Sequence, residues 1–126
     1  MRKLTLMVVL VVMALPVFAG VALAADQLIY CKSIPCYGSG NDDKIFERKG
    51  NGVTDKIIMR GGHDLVLANG YTNDTDVVKG GRGHDTIKVN DGDTFDTASG
   101  GKGRIDTCIV DSRREVGAGC GRVMVR

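Results

Sequence analysis

The chain has 126 residues, with 17 Lys and Arg against 15 Asp and Glu, 18 glycines and four cysteines. That length suits one domain. Setting aside Arg2 and Lys3 leaves 15 basic side chains against 15 acidic ones, a neutral balance that offers nucleic acid no basic face.

Arg2 and Lys3 precede the apolar run LTLMVVLVVMALPVFAGVALA, which ends in the small-residue site Ala22-Leu23-Ala24. This is the layout of a secretory signal peptide. The run is long enough to cross a bilayer, but Pro16, Gly20 and the small residues at its end favour cleavage over anchoring. Residues 1–25 are therefore read as a signal peptide. Residues 26–126 are read as a single secreted, extracellular domain with no stable membrane span after cleavage. From Lys102 onward, six basic residues face three acids, a mild excess read as a solvated face. Cys31, Cys36, Cys108 and Cys120 in an exported chain predict two disulfides. Spacing alone leaves three connectivities open.

An aspartate followed two residues later by an apolar residue recurs at Asp43, Asp55, Asp64, Asp76, Asp85, Asp96 and Asp106. Asp43, Asp64, Asp85 and Asp106 form one ladder with a strict 21-residue step, and Asp55, Asp76 and Asp96 a second with one residue missing near its end. The apolar partners form ladders of their own: Ile45, Val66, Ile87 and Cys108, then Ile57, Val78 and Ala98. A three-residue strand is unstable alone. Stacked roughly 4.8 Å from its equivalents, its backbone pairs and its central side chain points inward. The spacing predicts about four 21-residue coils, each with two short strands and two turns, each coil burying its neighbours' apolar residues. Glycines in those turns supply the positive φ they need. The fold class is all-β.

The nonapeptide GGRGHDTIK at residues 80–88 resembles in full the Gly-Gly-x-Gly-x-Asp-x-apolar-x repeat of the haemolysin-type (RTX) calcium-binding family. RGGHDLVL, GSGNDDKIF and GGKGRIDTC match it in part, and the turns around Asp55, Asp76 and Asp96 are degenerate. The resemblance covers about residues 37–110. It implies a parallel β-roll, or β-solenoid, with calcium between stacked turns. Glycine-rich turns direct carbonyls, and aspartates on neighbouring coils add charge, toward one hard cation. On that basis Asp64 and Asp85, with Gly62, Gly81 and Gly83, are the first candidate ligands. Asp43 with Asp64, and Asp85 with Asp106, would flank that site. The second ladder, whose longer turns lack most of the glycines, is expected to bind little metal. The competing reading is a metal-free ladder in which aspartates serve their own turns and bases offset their charge. Family members are usually markedly acidic and commonly carry a C-terminal export signal. This chain differs on both points.

His63 and His84 are also 21 residues apart. They are read as stacked polar turn residues in preference to a zinc or copper site, which would lack a clear third ligand. Three coils put Cys36 and Cys108 about 14 Å apart, whereas a disulfide spans at most about 7 Å between Cα atoms. The expected bridges are therefore Cys31–Cys36 and Cys108–Cys120. They cap the two ends, the second within a closing segment at residues 108–126.

No nucleophile-elbow or zinc-protease motif is present, so no catalysis is expected. The expected function is that of a secreted protein whose Asp/Gly turns bind Ca2+ and stabilise the fold. The alternative is a metal-independent, disulfide-capped module acting in extracellular structure or protein interaction.

Overall fold

The computed structural model describes residues 26–126 except Arg104, so the expected signal peptide at residues 1–25 lies outside the described residues. The described residues form ten strands and no α-helix: β1 Gln27–Tyr30, β2 Cys36–Tyr37, β3 Asp43–Phe46, β4 Lys56–Ile58, β5 Leu65–Leu67, β6 Val77–Gly81, β7 Thr86–Lys88, β8 Thr97–Gly101, β9 Thr107–Val110 and β10 Arg122–Val125. A single 3-10 turn, Arg113–Glu115, precedes β10. No helix among these residues is long and apolar enough to cross a membrane.

From β1 to β9 the chain alternates between two sheets. One has the order β1-β3-β5-β7-β9-β10 and the other β2-β4-β6-β8. Every pairing between neighbouring strands is parallel. Each return to a given sheet takes one repeat, so sequence spacing sets the register directly. In the six-stranded sheet Ile45 pairs with Val66, Val66 with Ile87, and Ile87 with Cys108. In the four-stranded sheet Ile57 pairs with Val78, and Val78 with Ala98.

All seven of these side chains are fully buried. Burying a Val or Ile contributes roughly 1.5–3 kcal/mol, and no single three-residue strand could supply its share without the layers beside it. A further buried column, Ala68, Val89 and Val110, runs along the C-terminal ends of β5, β7 and β9. Glu47 occupies the same repeat position one layer earlier and is also buried.

The stack extends beyond the repeats. Ile29 pairs with Ile45 at one end and Val123 with Cys108 at the other. Cys36 pairs with Ile57, and Val116 bridges Ala98. Disulfides join Cys31 to Cys36 and Cys108 to Cys120, with Cα atoms 5.5 and 5.8 Å apart.

Candidate metal centre

Asp43, Asp55, Asp64, Asp76 and Asp85 are each held in the same way. The main-chain N–H donates to the carboxylate of the ladder aspartate one layer on: Asp43 to Asp64 at 2.8 Å, Asp64 to Asp85 at 3.0 Å and Asp85 to Asp106 at 2.8 Å. The second ladder repeats the bond, Asp55 to Asp76 and Asp76 to Asp96, both at 2.7 Å. Backbone carbonyls of Asp55, Asp64, Asp76 and Asp85 accept N–H groups from the following layer. The aspartate ladders are therefore sewn into the backbone network by Oδ1 and leave Oδ2 over.

What happens to Oδ2 depends on position. At the start of the first ladder both oxygens of Asp43 are satisfied by Ser39, through its amide at 2.6 Å and its hydroxyl at 3.0 Å. At the start of the second, Asp55 accepts the Arg48 guanidinium at 2.6 Å and the Arg48 amide at 2.8 Å. This is the one salt bridge among the described residues. In the interior, the Oδ2 atoms of Asp64, Asp76, Asp85, Asp96 and Asp106 are buried without a hydrogen-bond partner. Buried carboxylate oxygens in that condition are costly. Ten acidic side chains are buried in all: Asp43, Glu47, Asp55, Asp64, Asp74, Asp76, Asp85, Asp96, Asp106 and Glu115.

For Glu47, Asp64, Asp74, Asp76, Asp85, Asp96 and Glu115, burial is the largest influence on acidity. Asp64 is pushed up to about 7 by desolvation and by the charges of Asp85, Asp43 and Asp42, with the Asp43 amide opposing. Desolvation likewise lifts Asp96 to about 7 and Asp74 and Asp85 to about 6. For Asp85 the two histidines pull the other way. Glu47 and Asp76 are both raised, again chiefly by burial.

Of the residues expected to bind calcium, Asp64 and Asp85 lie in consecutive layers, linked through the Asp64 amide. Their glycines sit close above the preceding turn. Gly62 and Gly83 have φ of +112° and +124°, and a Cβ there would collide with the carbonyls of Asn41 and Gly62 respectively. Only glycine permits that approach. Gly81, at φ +101°, lies over the Met59 carbonyl.

No family model, curated protein or solved structure matches the chain. The chemistry must be read from the donor set itself.

Among the described residues, three groups of carboxylates have oxygens within 4.8 Å of one another: Glu47 with Asp74 and Asp76, Asp74 with Asp91 and Asp93, and Asp93 with Asp96 and Glu115. All three lie on the side of the second ladder, in the longer turns expected to bind little metal. Asp74, Asp91 and Asp93 belong to no 21-residue ladder, so periodicity does not reveal them. Glu47 does leave a trace, as a charged residue in a column otherwise occupied by Ala68, Val89 and Val110. Glu115 follows Asp96 at the end of the second ladder: it accepts the Ser112 amide at 2.7 Å, and burial raises its pKa while the Ser112, Asp111 and Asp96 amides pull it back down.

The histidines stack, with ring centroids 5.1 Å apart. His63 Nδ1 accepts the His84 amide at 2.9 Å and His84 Nδ1 accepts the Ile105 amide at 3.3 Å. One nitrogen of each ring thus serves the backbone, which accounts for the pair as turn residues.

The donors available in the interior are carboxylate oxygens. All-oxygen sets suit hard cations such as calcium and magnesium, and the buried oxygens lacking partners fit a group of that kind.

Proposed function

We propose that the protein is a small secreted calcium-binding β-roll, in which Ca2+ held by the stacked turns stabilises the fold. The observation that carries this reading is the set of interior ladder carboxylates. They are buried, aligned on two columns, and have one oxygen each without a partner. Like charges so arranged repel unless something positive separates them. Calcium would be held by these aspartates and nearby carbonyls, and supplies the compensating charge. The full nonapeptide at residues 80–88 and its resemblance to the haemolysin-type repeats agree with this reading. The two disulfides suit an oxidising location outside the cytoplasm. No catalytic role is assigned.

A ligand that selects the folded state adds its binding free energy to stability. Thermal unfolding followed by circular dichroism should therefore show a higher Tm in calcium than in chelator, with Asp85→Ala losing part of the difference. Identical Tm values in the two buffers, with a fall only on reduction, would favour the metal-independent module instead.

A further inference from the structure

We propose that Glu47, Asp74 and Asp76 form a calcium site on the second ladder, beside a cavity lined by Tyr30 and Tyr71. This rests on the reading that the protein binds calcium, and it places an ion in the longer turns as well as in the glycine-rich ones.

Oxygens of the three carboxylates lie within 4.8 Å of one another. Independently of that proximity, all three side chains are more than nine-tenths buried, with exposures of 7%, 5% and 1%. Each retains unpartnered oxygen: Glu47 Oε2, both oxygens of Asp74, and Asp76 Oδ2. Four free oxygens are a large part of the roughly six to eight that calcium takes.

The other oxygens hold the side chains in place. Glu47 Oε1 accepts the Gly70 amide, and Asp76 Oδ1 accepts the Asp55 amide. Asp74 has no such structural duty among these hydrogen bonds, yet it is buried with both oxygens free. Its neighbour Asp93 shows the contrast. Although it belongs to the other two groups, its oxygens already accept the Asn73 amide at 2.7 Å and the Phe95 amide at 2.9 Å.

A cavity of about 290 Å³ is lined by Glu47 together with Tyr30, Phe46, Lys49, Leu67, Asn69, Gly70 and Tyr71. The arrangement is asymmetric along the stack, because the equivalent column positions after Glu47 are Ala68, Val89 and Val110. The same three-carboxylate set is not repeated in later layers.

The full chain would be titrated with calcium by calorimetry and with terbium, a luminescent substitute for calcium. The protein has no tryptophan, so energy transfer to terbium comes from tyrosine, and two of the three tyrosines line this cavity. Asp74→Asn and Glu47→Gln are each expected to weaken calcium about tenfold or more, since affinity follows ligand charge. Asp26→Asn, at an exposed carboxylate outside both ladders, should leave calcium affinity unchanged. Tyr30→Phe with Tyr71→Phe leaves the carboxylates in place and should diminish terbium emission without abolishing calcium binding.

Wild-type calcium binding retained in both Asp74→Asn and Glu47→Gln, but lost in Asp64→Asn, would overturn the site while leaving the calcium reading intact. No calcium binding by the unmutated chain would end both. If a carboxylate variant fails to fold, the tyrosine pair decides, and terbium emission undiminished by the loss of Tyr30 and Tyr71 overturns the assignment.

Discussion

Raising the pH of the metal-free protein should destabilise it, against the usual behaviour of carboxylates paired in the folded state. Asp64 moves from an ordinary value of 3.8 to about 7 on folding, so between those values the folded state holds a proton that the unfolded chain has released. Stability then falls as pH rises. The contribution is fully present below about pH 4 and is lost as pH passes through about 7. At about 1.4 kcal/mol per pKa unit, Asp64 alone accounts for a loss on the order of 4 kcal/mol. Asp96, Asp74 and Asp85 act in the same direction. A loss of about 4 kcal/mol is a large share of the roughly 5–15 kcal/mol that holds a domain folded, and corresponds to about 20 °C in Tm for a domain near this size. Calcium competes with the protons for the same oxygens, so saturating calcium should flatten the curve or reverse its slope. The assay is a series of thermal melts by circular dichroism from about pH 4 to pH 8, with chelator and with calcium. A metal-free Tm that holds steady or climbs across that range would refute the argument that buried, uncompensated carboxylates dominate the fold's electrostatics.

Removing the guanidinium in Arg48→Ala leaves Asp55 fully buried without its ion pair. Stranding a buried charge in this way costs about 3–5 kcal/mol, and urea unfolding of the variant against the unmutated chain measures the deficit. Gly83→Ala sets a Cβ against the Gly62 carbonyl at a φ of +124°, whereas Gly92→Ala, at +103°, meets open space. The first should lower Tm well beyond the second, and equal effects would mean that strain alone matters. Reduction of Cys108–Cys120, which closes a short loop over the last layers, should cost about 2–4 kcal/mol. Denaturation with and without reductant checks this.

The interior of the fold is legible because the pairing distance and the sequence repeat are the same quantity. An aspartate and an apolar residue recurring every 21 positions announce both which strands pair and which side chains meet. That logic fails where the repeat stops. Ile29 lies 16 residues before Ile45 and Val123 lies 15 after Cys108, so the outermost strands join the sheet through shorter connections with no aspartate to mark them. The disulfides could be inferred because the layer spacing forbids the long pairing. The carboxylate groups were harder. Turn residues such as Asp74 and Asp93 are brought together by the path of a loop, and local composition gives no account of that path. Counting glycines favoured the first ladder, since glycine reports where backbones approach closely. It does not report where side-chain oxygens gather.

The one-residue deficit in the second ladder has a wider implication. Val77 still faces Thr97 and Val78 still faces Ala98, although the separation there is 20 residues instead of 21. The shortening is absorbed by the turn between β7 and β8, and the strands keep their facing. Insertions or deletions in the turns should therefore be tolerated, while a single residue gained or lost inside a strand would turn alternate side chains from core to solvent. Duplicating a whole interior repeat would give the new segment the same neighbours on both sides, so the length of such a protein can grow in fixed increments without redesigning its core.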